Sequence, residues 1–454
     1  MTIPIWEYRS MIPGAAWPAV PGQEGANLLA LQFQLEQTQW LSPEKLGELQ
    51  FRQLDSLVRH AYGTVPYYRE RWRGLYDPGE RLTSEGYSRL PLLTRRELQA
   101  NFDALKSTSI PAAHGLVTES RTSGSTGTPV RVLKTGFVDL LWQAILLREH
   151  LWFARDLRGK LASIRHGAAA GEADGWGPAT TAIVGTGRSA TLPIKSDVDA
   201  QLQWLESQRP DYLLTYPSNL AELARRSLAR GIRLPALREA RTFGEMLPPE
   251  TREFCRRAWG VPVTDTYSTQ EVGYIALQCP LHEHYHVQSE CVLMEALNDE
   301  GLACAPGATG RVVITSLHNF AMPLVRYDIG DYAEVGMPCD CRRGLPVLRR
   351  VAGRVRNMLV LANGARYWPG LNLGSLAGGA PVLQHQLVQK SFDTIEVRLV
   401  TARPLTLEEE QHMRQHLLAR LPVPFEINFN YCDAISRGAG GKFEECISEM
   451  AATG

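Results

Sequence analysis

The segment Thr122-Ser123-Gly124-Ser125-Thr126-Gly127-Thr128-Pro129 gathers hydroxyls around two glycines. Glycine lets a backbone approach a ligand closely, and hydroxyls together with bared N–H groups can wrap a triphosphate. A strand-like approach at 116–118 precedes the segment, and a β-branched run, Val130–Leu133, follows it. It is not the G-x-x-x-x-G-K-S/T loop, because Thr128 stands where that loop needs lysine and no helical pattern follows directly. Nor is it a serine-hydrolase elbow, since G-x-S-x-G does not fit Gly124-Ser125-Thr126-Gly127. A phosphate loop is the chemistry it offers, although a plain Ser/Gly surface turn has the same composition.

A second constellation is Cys279-Pro280-Leu281-His282-Glu283-His284-Tyr285-His286, followed by Cys339-Asp340-Cys341. One Cys-x-x-His pair and one Cys-x-Cys pair supply three thiolates and an imidazole, the closed tetrahedral set of structural Zn²⁺. Cys279, His282, Cys339 and Cys341 are the expected ligands. His284 and His286 compete with His282 for the one nitrogen position, and surface histidines beside two free thiols are the plainer reading.

These groups must be positioned by a substantial core. The chain has 454 residues, 44% hydrophobic and 21% charged, enough for two to four domains or subdomains. Lys plus Arg number 48 and Asp plus Glu 48, so no net charge draws it to nucleic acid or an anionic membrane. Glu7 and Arg9 interrupt the stretch a secretory signal would need, and no run approaches the ~20 apolar residues of a membrane span. Eight cysteines are too sparse for a disulfide scaffold and suit a reducing compartment, so a cytoplasmic protein is expected.

Apolar residues at helical spacing over 28–75, with Ser42-Pro43 as cap and first helical residue, predict a helical opening. From about 117, short β-branched runs alternate with helical stretches. The runs are Val130–Leu133, Leu161–Ile164, Thr181–Val184, Tyr212–Thr215, Val261–Thr266 and Arg311–Thr315, and the helices lie at 199–208, 219–230 and 249–258. That alternation predicts an α/β fold with a large mixed sheet. Beyond Gly353, strands at 358–361, 394–400 and 425–431 around a helix at 406–421 predict a small α+β domain, giving domains 1–352 and 353–454.

Further blocks follow the hydroxyl loop in order: Phe243-Gly244-Glu245, Asp265-Thr266-Tyr267-Ser268-Thr269-Gln270-Glu271, Tyr327-Asp328-Ile329-Gly330-Asp331, Gly353-Arg354-Val355-Arg356 and Gly440-Gly441-Lys442-Phe443. Together they resemble the motifs of the adenylate-forming superfamily of acyl-CoA synthetases, luciferases and adenylation domains. Within it the chain is most similar to phenylacetate–CoA ligase-like enzymes, on Gln34–Trp40, Val65-Pro66-Tyr67-Tyr68-Arg69 and Tyr216-Pro217-Ser218.

The resemblance implies a role for each block. Ser123, Gly124, Ser125, Thr126 and Gly127 would hold phosphate, and Gly244, Glu245, Asp265, Thr266, Tyr267 and Ser268 would surround the nucleotide. Asp331 and Arg354 would bind ribose, Glu271 would hold Mg²⁺, and Lys442 would be the catalytic lysine of a mobile carboxy-terminal lid. Trp142, His166, Tyr216, Phe243 and Tyr274 would line an acyl pocket suited to an aryl or heteroaryl acid. The implied reaction consumes a carboxylic acid and ATP, releases pyrophosphate and passes the acyl group to CoA by default. An amine or a carrier-protein thiol is the alternative acceptor. Thr128 in place of lysine and Gln270 in place of a hydroxyl residue depart from the pattern, which leaves a catalytically silent nucleotide- or acyl-binding paralogue as the rival. Lys134 is a nearby replacement cation.

Overall fold

The computed structural model describes residues 6–122, 129–354, 358–364, 366–367, 380–436, 443 and 446–450, with the side chains of Arg354 and Arg366 outside that description. The amino-terminal helices Gln23–Thr38 and Pro43–Thr64 form as expected. Ser42 Oγ accepts the Lys45 N–H at 3.3 Å and Pro43 takes the first turn, where its missing N–H leaves nothing unsatisfied. Leu54, Leu57, Val58 and Ala61 of the second helix pack into the core without exposure.

A 12-stranded sheet dominates the chain. In spatial order it runs Val292–Leu297, Thr309–Ser316, Tyr327–Val335, Val347–Arg354, Tyr285–Val287, Gly273–Gln278, Val263–Thr269, Glu239–Phe243, Tyr212–Thr215, Leu161–Arg165, Ser189–Pro193 and Gly171–Ala173. The strands from Val263–Thr269 to Ser189–Pro193 are parallel. Their crossover helices Val198–Gln208, Pro217–Arg230 and Pro249–Trp259 bury Leu202, Leu205, Leu220, Leu223 and Cys255 with them. The remaining pairings are antiparallel. Parallel strands need such helical crossovers, whereas antiparallel neighbours do not.

The expectation of a strand at 181–184 fails. Pro178–Thr181 is a helical turn, because Gly177-Pro178 starts it and the Thr180 and Thr181 hydroxyls both donate to the Gly177 carbonyl, at 3.1 and 3.0 Å. Val184 makes only an isolated bridge to Tyr8.

The carboxy-terminal region has its own four-stranded sheet, in the order Glu426–Tyr431, Thr394–Thr401, Val382–Gln389 and Cys446–Ser448. Helix Leu407–Leu418 lays Met413 and Leu417 on Ile395, Val397 and Ile427. Thr406 and Glu409 close a capping box at its start. The fold is therefore α/β, with a large mixed sheet followed by a small α/β region. No helix among the described residues is long and apolar enough to cross a membrane.

Candidate functional site

Ser123, Gly124, Ser125, Thr126, Gly127 and Lys442 lie outside the described residues, as does the Arg354 side chain. The neck of the hydroxyl loop is described. Strands Val117–Arg121 and Arg131–Thr135 pair antiparallel, and the Val130 N–H donates to Thr122 Oγ1 at 2.9 Å. The loop is thus borne on a hairpin, with Thr122 tied across its base.

Two further strands bring site residues beside it. Tyr267, on Val263–Thr269, donates its hydroxyl to Asp331 Oδ2 at 2.8 Å, joining residues 64 apart in sequence. Glu271, in the turn after that strand, is buried, and its Oε1 accepts Arg95 Nη1 at 3.1 Å. Arg95 Nη2 also reaches Thr122 Oγ1 at 3.4 Å. Loop neck, candidate Mg²⁺ carboxylate and Arg95 therefore form one cluster, of which sequence reasoning missed Arg95.

Asp265 is buried and accepts the Thr242 and Tyr285 hydroxyls, each at 2.6 Å. Burial outweighs those hydrogen bonds and raises its carboxyl above the ordinary range. Its side chain is engaged within the sheet, while buried Thr266 and half-buried Ser268 flank Tyr267 on the same strand, next to a register shift after Tyr267. Gly244 has φ +77°, a left-handed conformation that suits glycine, and places Glu245 at the joint with the small region. Glu245 accepts the Ser218 N–H at 3.0 Å and the Phe443 N–H at 2.8 Å. Phe443 directly follows Lys442 in sequence.

The expected acyl-pocket residues fall into two groups. Tyr216 stacks obliquely on Phe243 at 4.9 Å between ring centroids, and the His166 N–H donates to the Tyr216 hydroxyl at 3.3 Å. Trp142 meets Tyr274 edge-on at 5.5 Å, and both line a cavity with Leu141, Val272, Ser316 and His318. Lys134 points inward, with Nζ 4.4 Å from the centre of the Trp142 ring. Its burial lowers the ammonium pKa to about 8, against the attraction of Asp139 and Glu271.

Cys279, His284, His286 and Cys339 bring one ligand atom each within 4.8 Å of one another. Cys341 Sγ lies 3.3 Å from His286 Nε2. The expected His282 is instead turned to Asp340, its Nε2 against the carboxylate. His286 lies on the strand Tyr285–Val287, His284 immediately before it, and His282 earlier in the preceding bend. The donors fit zinc: thiols and imidazoles converge, and His284 Nε2 is buried without a hydrogen-bond partner among the described residues. Burial pushes the Cys279 and Cys339 thiols up, so metal binding there must displace protons.

The phenylacetate-coenzyme A ligase of Escherichia coli (strain K12) is 24% identical over 436 residues, covering 89% of this chain and 95% of that one. A 2-hydroxyisobutyryl-CoA ligase, solved in the postadenylation state with R3-HIB-AMP, superposes with TM-score 0.69 over 89% of both chains at 16% identity. Over most of its length the chain is thus similar to a phenylacetate-coenzyme A ligase and shares the fold of these acyl-CoA ligases. Another adenylate-forming fold, the anthranilate CoA ligase in complex with anthranoyl-AMP, has TM-score 0.56 at 16% identity, covering 89% of this chain and 79% of that one. Residues 374–449 match the family described as CapK C-terminal domain. The Thr122–Arg95–Glu271 contacts and the Tyr267–Asp331 hydrogen bond thus sit on the fold of these acyl-CoA ligases.

Proposed function

We propose that this protein is an AMP-forming acid–thiol ligase that activates an aryl or heteroaryl carboxylic acid with ATP and transfers the acyl group to CoA. A carboxylate oxygen attacks the α-phosphorus, the bond to the bridging oxygen breaks, and pyrophosphate leaves with that electron pair. The CoA thiolate then attacks the acyl carbonyl and AMP departs. Attack between two anions needs positive charge and directed donors. Lys442 supplies an ammonium at the carboxylate and α-phosphate, and the hydroxyl loop 123–127 donates to phosphate. Tyr267 and Asp331 hold the nucleoside, with Arg354 beside the ribose. Glu271 would hold Mg²⁺, which offsets phosphate charge when bound. Residues 353–454 act as a lid that presents Lys442 for the first step and then rotates to admit the acceptor.

The observation that carries this reading is the joining of Tyr267 to Asp331 and of Glu271 through Arg95 to Thr122, from motifs far apart in sequence. Trp142, Tyr274, Tyr216 and Phe243 favour an aromatic acid, because aryl groups gain from offset and edge-on ring contacts. A structural zinc held by Cys279, Cys339, Cys341 and His284 or His286 would brace the segment after Glu271 against the segment after Asp331.

Pyrophosphate release over a panel of aryl and aliphatic acids tests the reading, followed by mass spectrometry of the product formed with CoA or with an amine. Release with an aryl acid and a CoA thioester product is the expected result. An amide product moves the acceptor to an amine. No release with any acid, alongside retained nucleotide binding, makes the protein a silent paralogue, the reading that Thr128 and Gln270 favour.

A further inference from the structure

The loop lacks a lysine at Thr128, so the phosphates beyond the α position need another cation. The arginines of the loop's own hairpin are committed elsewhere. Arg121 and Arg131 both donate to Glu119, at 2.6 and 2.7 Å, and Arg131 also covers the Phe102 ring. Lys134 lies over Trp142 in the interior.

Arg95 is placed differently. It opens helix Arg95–Ala100 behind Thr94, whose capping box with Glu97 fixes the backbone there. Its guanidinium spans Glu271 Oε1 and Thr122 Oγ1, while its buried Nε has no hydrogen-bond partner among the described residues. A guanidinium carries five N–H donors in a planar fork that matches phosphate oxygens. The two described contacts leave donors uncommitted at the place where the loop neck meets the candidate Mg²⁺ carboxylate.

We propose that Arg95 contacts the β- and γ-phosphates of ATP and supplies the positive charge that position 128 lacks. This rests on the ATP-dependent reading above. When a metal takes Glu271, the guanidinium exchanges one carboxylate partner for phosphate oxygens and keeps its charge compensated. It then stabilises pyrophosphate as the leaving group, while AMP, which lacks those phosphates, does not meet it.

That asymmetry is the test. Magnesium pyrophosphate and AMP are titrated separately by calorimetry into wild type, Arg95→Gln, Arg95→Lys and Lys134→Met, and both half-reactions are assayed. Arg95→Gln should bind magnesium pyrophosphate ~10-fold or more weakly, bind AMP like wild type, and release pyrophosphate ~10²-fold more slowly. Thioester formation from a synthetic acyl-adenylate and CoA should persist, and Arg95→Lys should recover part of the pyrophosphate affinity. Equal losses for AMP and pyrophosphate would make Arg95 a brace for Glu271 and overturn the proposal, as would unchanged pyrophosphate binding. If Lys134→Met alone reproduces the loss, the cation is Lys134 and the assignment to Arg95 is wrong. Should Arg95→Gln not fold, the separation is read on Arg95→Lys. Wild-type protein that neither releases nor binds pyrophosphate refutes the ATP reading itself, an outcome distinct from failure of Arg95 in an active enzyme.

Discussion

The candidate carboxylates of the large region and the joint with the small carboxy-terminal sheet treat their polar groups differently. In the large region each candidate carboxylate is tied to another segment: Asp331 to Tyr267, Asp265 to Thr242 and Tyr285, Glu271 to Arg95. Where the small region meets the large one, the described contacts include Phe443 N–H on Glu245 and Arg225 on the Leu383 carbonyl. His385 is buried there with neither ring nitrogen hydrogen-bonded among the described residues, and burial beside Arg225 lowers its pKa to about 3. A buried unsatisfied polar group costs about 1–3 kcal/mol, so parting the two surfaces recovers hydration that docking withholds. On the lid proposal, the large region holds a geometry and this joint is the surface that would part.

The sharpest break in that comparison is Lys442→Ala. If the lid acts by delivering this ammonium, adenylate formation should fall by ~10²–10³, or about 3–4 kcal/mol, as when one donor to a developing anion is removed. Conversion of pre-made acyl-adenylate to thioester, governed by the large region and the acceptor, should persist. Wild-type pyrophosphate release in the variant would take the catalytic role from Lys442.

Zinc tests the holding side. Protein purified without chelator or affinity tag should contain about one Zn²⁺ by elemental analysis. Stripping it should cost about 2.7 kcal/mol of large-region stability when free metal had stood a hundredfold above its dissociation constant. Cys279→Ser should lose the metal, and His282→Ala should keep it, because His282 faces Asp340. Metal-free protein with unchanged melting would show that the cysteines and histidines pack without it.

A smaller effect is expected from Glu245→Ala, which removes the acceptor of both the Ser218 and Phe443 N–H groups. Weakening a charge-assisted hydrogen bond at the joint should slow adenylation about tenfold, near the lower bound of 1.5–3 kcal/mol for such bonds. Thioester formation from acyl-adenylate should slow less or not at all. Equal slowing of both steps would mean that Glu245 supports the site as a whole.

How much of this was legible in sequence follows the same division. In the parallel half of the sheet, β-branched runs marked three strands, including Val263–Thr269, but not Glu239–Phe243 or Ser189–Pro193, and the Thr406-capped helix showed in its period. Leu161–Arg165 and Tyr212–Thr215 lie where expected. The antiparallel strands Gly273–Gln278 and Val292–Leu297 were not read, because their Leu, Met, Ala, Glu and Gln are good helix formers and their apolar residues do not alternate, and Tyr285–Val287 is only three residues long. The ordered motifs located the Tyr267–Asp331 and Glu271 neighbourhoods. Arg95 was invisible, since it contacts Glu271 across 176 positions from a polar helix start that reads as solvated surface. The zinc nitrogen was ambiguous for a geometric reason: spacing alone cannot say where the chain leaves its turn and becomes extended, and that point decides which histidines face the thiols.

Lys134 is an exception inside the holding region, and it supports the smallest prediction. Among the described residues its ammonium faces the Trp142 ring, while Asp139 and Glu271 act on it only through their charge. Burial disfavours the charged form, so the pKa falls from 10.5 to about 8. Below pH 8 both folded and unfolded chains hold the proton, and the folded state carries the full desolvation penalty. Between about pH 8 and 10.5 the unfolded chain binds more protons than the folded one, so stability from this group rises with pH across that window. Lys134→Met keeps the volume and removes the charge, and should therefore be more stable than wild type at pH 7 by about 1 kcal/mol, the low end for an unsatisfied buried polar group. The gain should shrink as pH climbs past 8, measured by denaturant unfolding at several pH values. A variant less stable than wild type at pH 7 would mean that Asp139, Glu271 and the Trp142 ring more than offset the ammonium's burial, and Lys134 would then belong with the other satisfied groups of the large region.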